Sequence, residues 1–310
     1  MEKNNPTISI IMPVYNGATF LAESIDSILA QTFTDWELII VDDSSTDTSR
    51  AIADRYVSLD NRIRVYANTQ EKGLAGALNC CLSHVHGQYI ARADADDIQT
   101  PDRLQVEYDF LIKHPRIAIV GSWYKTFGNN KRPKVRKHPK QSVVIAWKYL
   151  SNTYFCHPTI LFRASVLQTV SKYPRMVSED FAFLSEVIHV YKGFNIPKVL
   201  LLYREHATNY SFTKAEAIKA SIRDTFTKNF TYYHSDTRHI DAFYRFHASY
   251  RLTVISFLPI LGISIHIARA ILKKYDLQYN IPAIISISSA LVTHATKAIA
   301  NSIIRSVLGK

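Results

Sequence analysis

Short apolar runs alternate with amphipathic stretches along the first half of the chain. Thr7–Met12 is nearly continuous in Ile and Met and stops at Pro13, the pattern of a strand buried on both faces. From Ala18 to Ala30 the apolar positions Phe20, Leu21, Ile25, Ile28 and Leu29 recur at helical spacing. Trp36–Val41 reads as a second strand, and Ser49–Tyr56 as a helix with Thr46 or Asp47 near its start. Ile63–Ala67 is a third strand, Leu74–Val85 a third helix and Tyr89–Ala93 a fourth strand. Helix Asp102–Lys113 ends at His114–Pro115, and strand Ile117–Val120 follows. Farther on, Ser142–Leu150 is helical, and Thr159–Phe162 and Ile196–Tyr203 are strands. Strand and helix alternating over such short connections predict an α/β fold, a mostly parallel sheet with helices on its faces.

In such sheets ligands collect beyond the carboxyl ends of the strands. Three of those ends are polar here: Pro13–Val14–Tyr15, Asp42–Asp43 and Asp94–Ala95–Asp96–Asp97. The last sets three carboxylates within four residues, a crowding of like charge that needs compensation. A hard divalent cation held by carboxylates and by the phosphates of a substrate supplies it. An acidic turn that caps the helix after Pro101, with Asp97 or Thr100 as the cap, is the structural alternative. Asp42–Asp43 likewise serves either as a turn and cap, or as an acceptor for a base N–H with Tyr15 stacked on the ring. Ser178–Glu179–Asp180 reads either as an N-cap with two acids in the first helical turn, or as a general base facing the crevice. There is no GxGxxG turn, so the dinucleotide fingerprint is missing.

Composition narrows the class. With 310 residues, 47% hydrophobic and 20% charged, the chain is a folded domain with an appendage, or two domains, and is not a disordered protein. Cys80 and Cys81 are adjacent and Cys156 is alone, which excludes a disulfide framework. Met1–Pro6 is polar and lacks a secretory signal, so the cytosolic side is expected. The net charge is +11, and from Arg238 onward nine Lys and Arg against Asp241 and Asp276 supply +7 of it. An anionic partner for that tail is implied, a membrane surface or a nucleic acid. Leu252–Ala268 and Leu277–Thr296 carry no formal charge, but Pro259, Gly262 and Pro282 interrupt them. The first is short and the second too polar for a span, so helices resting on the cytoplasmic leaflet are expected, with an ordinary helical subdomain as the alternative. No nucleic-acid motif accompanies the charge, so no nucleic-acid partner is expected. Lys125–Lys140 is polar and basic, with six Lys and Arg between 131 and 140, and reads as a solvated hairpin or as a phosphate-gripping lid.

The motifs resemble a family when taken in order. Pro13–Tyr15–Asn16, Asp42–Asp47, Asp94–Ala95–Asp96–Asp97, Glu179–Asp180 and Tyr203–Arg204–x–His206 are similar to those of the family 2 glycosyltransferases. Ser27–Phe33 and Pro101–Leu104 add to the likeness, which extends over residues 6 to 211. The resemblance implies a GT-A, Rossmann-like catalytic domain at 1–212; the charge and apolar stretches of the remainder predict a basic, apolar and membrane-associating helical extension at 213–310. It maps the nucleotide pocket onto Pro13, Tyr15, Asp43, Lys72 and Asp94, the metal onto Asp96 and the catalytic base onto Asp180. Asp97, His157, Glu179, Arg204 and His206 are further donor or acceptor contacts. The implied reaction moves a sugar from a nucleotide-sugar, a UDP-sugar before a GDP- or dTDP-sugar, with Mg²⁺ or Mn²⁺ and inversion at the anomeric carbon. The acceptor implied is a lipid-linked saccharide in O-antigen, capsule or exopolysaccharide assembly, and the location is the inner face of the cell membrane. Transfer to a bare polyprenyl phosphate, or nucleotide binding without turnover, are the competing readings.

Overall fold

The alternation predicted for the first hundred residues is the one observed in the computed structural model, which describes residues 5–128, 132–249 and 257–276. Its opening elements are β1 (Ile8–Val14), α1 (Leu21–Leu29), β2 (Trp36–Asp42), α2 (Ser49–Leu59), β3 (Ile63–Ala67), α3 (Leu74–Leu82) and β4 (Tyr89–Arg92). β5 (Ile98–Gln99), α4 (Arg103–Lys113), β6 (Ile117–Phe127), β7 (Lys134–Arg136) and α5 (Ser142–Lys148) follow. β8 (Leu161–Arg163), α6 (Glu179–Val190), β9 (Lys192–Arg204), α7 (Tyr210–Thr213), α8 (Ala215–Tyr233), α9 (Ile240–Ser249) and α10 (Phe257–Lys274) complete the described chain.

All the described strands join one sheet, in the order β3-β2-β1-β4-β8-β6-β9-β5, with β7 paired to β6. β1, β2, β3, β4, β6 and β9 run the same way, and β5, β7 and β8 run against them. The mostly parallel sheet expected from the pattern is the one observed, and β8, β7 and β5 add antiparallel partners to it. Ile8, Ile10, Met12, Leu38 and Ile40 face Leu21, Ile25 and Ile28 of α1 in a fully buried core. α3 covers the other face of β1 and β2, with Leu78 and Cys81 fully buried. Pro13 sits inside β1 rather than ending it. β1 pairs with β4 only over Ile8–Ile11, so at Pro13 only the β2 side of the strand is in the ladder.

β4 leaves the sheet after Arg92, and this departure puts the acidic cluster beyond the strand end. β5 returns the chain to pair with the far end of β9, Ile98 against Leu202 and Gln99 against Leu201.

The chain divides into two compact units, Met1–Lys140 with Phe155–Ala215, and Gln141–Tyr154 with Glu216–Lys310. The first holds the sheet. In the second, α10 packs on α5 and α9. Ile260, Ile267 and Ile271 of α10 are almost fully buried, and Phe226, Phe230 and Phe243 form an aromatic cluster. These α10 side chains are buried, with α5 and α9 among the elements packed against the helix. Leu277–Thr296 lies outside the described residues. Among the described residues no helix is long and apolar enough to cross a membrane.

Candidate active site

The carboxylates of Asp94, Asp96 and Asp97 come together beyond β4, each with an oxygen within 4.8 Å of the others. Each also has its own partner. Asp94 is ion-paired with the guanidinium of Arg92, the last residue of β4 and nearly inaccessible. Asp96 Oδ2 lies 2.9 Å from His206 Nε2. Asp97, 2% exposed, accepts a hydrogen bond from Arg204 N at 2.8 Å through Oδ1, while its Oδ2 is buried without a hydrogen-bond partner. Burial, and then the charge of Asp94, raise the pKa of Asp96, and the imidazole of His206 opposes them. Burial and the charges of Asp94 and Asp96 push Asp97 well above the usual carboxylate range. A divalent cation fits this donor set: the oxygens are hard, close together, short of positive charge, and include one orphaned buried acceptor.

The capping alternative is not what the residues do. α4 starts after Asp102 without a side-chain cap, and Thr100 Oγ1 donates to Asp102 Oδ1 instead of accepting from a helical N–H. Asp97 instead pins the end of β9. Arg204 does likewise from the other side: its Nε donates to Asp96 O at 2.8 Å, and it pairs with Glu23. Its guanidinium carbon also lies 4.5 Å from the rings of both Phe20 and Phe127. Arg204 therefore fastens the acidic loop to β9 and α1, and its charge is already engaged. Asn209 completes the closing loop, accepting from His206 N at 2.6 Å and donating to Arg204 O at 3.1 Å.

The ends of β1 and β2 form the second wall. Asn16 and Ser44 turn through positive φ of 48° and 63°, and Asn16 Oδ1 accepts from Thr46 N at 2.8 Å, so the two loops are tied together. Asp47 takes the N–H groups of Ala18 and Ser49, which makes it the organiser of this turn. Pro13 is buried below, and Tyr15 is exposed above with Lys72 Nζ 5.3 Å from its ring centre. Asp43 does not face open space. Its carboxylate accepts from Asn68 Nδ2 at 2.6 Å and from Gly73 N at 2.8 Å, holding the loop that carries Lys72. Each oxygen keeps a further lone pair for a ligand.

A cleft of about 620 Å³ continues from this loop, lined by Lys72, Gly73, Lys172, Tyr173, Arg175 and Tyr210 among others. Arg175 and Glu71 bridge its two sides through bonds of 2.7 and 2.8 Å. Glu179 and Asp180 begin α6 just beyond; Ser178 makes no side-chain cap bond there. Burial raises the pKa of Asp180, against the N–H of Phe181 and the charge of Arg92, while Asp94 adds to the rise. Glu179 is pushed well up by burial and by Asp180. Tyr210, lining the cleft, is raised by burial and then by these two acids. His157 is buried, its Nε2 lies 3.0 Å from Tyr173 Oη, and burial and Arg92 hold it neutral.

Residue types alone did not point to Arg92, Asn209, Phe20 or Glu23. Arg92 had one signal: it precedes Asp94 by two residues, and side chains two apart in an extended chain share a face.

The family model described as glycosyl transferase family 2 matches residues 9–171. EpsE of Bacillus subtilis (strain 168) is 36% identical over 222 residues, covering 68% of this chain and 78% of that protein. Escherichia coli WfgD, named as a UDP-Glc:alpha-D-GlcNAc-diphosphoundecaprenol beta-1,3-glucosyltransferase, is 29% identical over 214 residues, covering 68% and 82%. Among solved structures, S. aureus TarS 1-349 in complex with UDP-GlcNAc superposes with a TM-score of 0.62 at 17% identity, covering 96% of this chain and 91% of that one. Pyrobaculum calidifontis mannosyltransferase PcManGT in complex with GDP-Man and Mn²⁺ reaches 0.56 at 19%, covering 99% and 89%. The structural neighbours share the fold, the GT-A arrangement; the matched sequence and the relatives settle the family. This chain belongs to glycosyl transferase family 2 and is a glycosyltransferase.

Proposed function

We propose that this glycosyltransferase moves a sugar from a UDP-sugar to a hydroxyl of a lipid-linked saccharide in surface polysaccharide assembly, with inversion and with a divalent metal, at the inner face of the cell membrane. One observation carries the reading. The carboxylates of Asp94, Asp96 and Asp97 gather beyond β4 within 4.8 Å of one another, and His206 of the closing loop meets Asp96 there, a donor set for a cation at the carboxyl end of a parallel strand. The relatives add to it: WfgD is named for a diphosphoundecaprenol-linked acceptor and a UDP donor, TarS was solved with UDP-GlcNAc, and PcManGT with Mn²⁺.

The chemistry follows from the residues. Tyr15 and Asp43 would hold the nucleoside, with Lys72 over the tyrosine ring supplying positive charge beside the phosphates. Asp96 and Asp97, with Asp94, would hold Mg²⁺ or Mn²⁺, which when bound offsets charge growing on the departing diphosphate. Asp180 takes the proton of the acceptor hydroxyl while that oxygen bonds to the anomeric carbon and the bond to the diphosphate breaks. A raised pKa suits Asp180 to the task, because a base works best when its pKa approaches the operating pH. A single displacement inverts the centre without a covalent enzyme intermediate.

The test is product analysis with a UDP-sugar panel and a short-chain lipid-diphosphate saccharide. The expected product carries the inverted anomeric configuration, and Asp180→Asn lowers kcat by about 10²–10⁴ with donor binding retained. Transfer to a bare lipid phosphate but not to the saccharide would overturn the acceptor assignment. Retention of configuration, or full activity in Asp180→Asn, would overturn the mechanism.

A further inference from the structure

We propose that the β6–β7 hairpin is a docking surface for the anionic phospholipid headgroups of a bilayer. The proposal rests on the membrane-surface reading given above and assigns that contact to a particular element. It begins with a segregation of charge. Between Asp109 and Glu179 the chain has no Asp or Glu, yet it has thirteen Lys and Arg. The density peaks at the hairpin, where Arg132, Lys134, Arg136, Lys137 and Lys140 are all exposed. None of the five enters an ion pair among the described residues.

An edge strand guards itself against pairing with one or two lysines or a proline. β7 does lie outside the main strand order, pairing only with β6, and Pro133 precedes it. Five uncompensated cations exceed that need. The apolar side chains support a bilayer as the partner. Val135 is 47% exposed between Lys134 and Arg136, on the strand face opposite to theirs. Trp123 carries Lys137 Nζ 5.0 Å from its ring centre and donates from Nε1 to His138 O at 3.1 Å. An exposed valine among exposed cations, beside a half-buried tryptophan, matches an interface of anionic headgroups over acyl chains.

The hairpin is rooted beside the active site. Phe127 pairs with Arg204, and Glu205 N donates to Phe127 O at 2.8 Å. Gly128 follows at φ +86°, where a Cβ would stand 2.7 Å from Glu205 O, so this residue is pressed against the strand end that holds Asp97. A surface that seats the hairpin is therefore adjacent to the mouth of the acidic crevice, where a lipid-linked acceptor would present its sugar.

The experiment is flotation of the full chain with phosphatidylcholine vesicles, with and without phosphatidylglycerol, at low and high salt. The vesicles contain no donor or acceptor, so a wrong acceptor assignment leaves the result readable. The wild type should bind only the anionic vesicles and be released by salt. Each cation near an anionic surface contributes about fivefold in partitioning, so Lys134→Gln/Arg136→Gln/Lys137→Gln should lose about a hundredfold. The charge-conserving Lys134→Arg/Arg136→Lys/Lys137→Arg should bind like the wild type, and both variants should keep the wild-type thermal shift with UDP and Mn²⁺. Equal binding by the wild type and the Gln variant, no binding by the wild type, or capture by single-stranded oligonucleotide in preference to vesicles would each overturn the proposal.

Discussion

Removing Arg92 tests how the acidic cluster is held. The guanidinium closes β4, is ion-paired with Asp94, and acts on Asp96, Asp97, Glu179 and Asp180 as well. Arg92→Met keeps the length and apolar stem but leaves those carboxyl groups without their buried cation. Breaking a buried pair from one side costs about 3–5 kcal/mol. The Asp94 side chain is 26% exposed, so water softens the loss and places it near the lower end, about 3 kcal/mol. For a chain of this size that lowers Tm by roughly 5 °C. The assay is thermal and urea unfolding of the wild type, Arg92→Met, Asp94→Asn and the double variant in metal-free buffer. Asp94→Asn should be destabilising alone and far less so beside Arg92→Met, with a coupling of about 1–3 kcal/mol. If Arg92→Met melts within about 1 °C of the wild type, or if the two changes simply add, Arg92 is not what compensates the cluster.

Asp97→Asn keeps an acceptor for Arg204 N but removes one crowded negative charge; it should raise Tm without metal and weaken the Mn²⁺-induced stabilisation, read by thermal shift with and without Mn²⁺. The base must be ionised to work, so kcat/KM should fall as Asp180 takes up a proton, and because burial raises its pKa that acid limb should lie above the ordinary value of 3.8 in a pH–rate profile. Glu107 is fully buried against Arg103, and burial pushes it up to about 7. The folded state therefore binds the extra proton, and this contribution to stability, complete below about 4.5, is lost as pH rises through 7. The Tm of Glu107→Gln should gain on that of the wild type over the same window.

The sequence was most readable where apolar runs had no other use. β1 to β4 and α1 to α3 emerged because Ile, Leu and Val at strand or helical spacing have one way to be buried. β5 has two residues and β7 three, two of them basic, so neither carries a periodic signal, and both owe their existence to a neighbour. β9 extends through Pro197, and its register against β6 shifts near Trp123, an irregularity that pattern cannot place. In the site, acidic residues at strand ends were legible from the rule for parallel sheets. What each one touches was not. Asp43, Arg204 and His157 are all engaged by the protein itself, because loops distant in sequence meet there. The grouping of α5 with the C-terminal helices was hidden for the same reason: its partner α10 lies about a hundred residues away.

The most direct test of the central claim is nucleotide binding with and without metal in the wild type and in Asp96→Ala, by thermal shift against UDP, GDP, dTDP and CDP. A nucleotide supplied at about a hundred times its Kd stabilises the fold by about 2.7 kcal/mol, a rise of roughly 4 °C. The account predicts that rise for UDP, dependent on Mn²⁺ or Mg²⁺ and lost in Asp96→Ala. No shift with any nucleotide, or the same shift in Asp96→Ala, would contradict it.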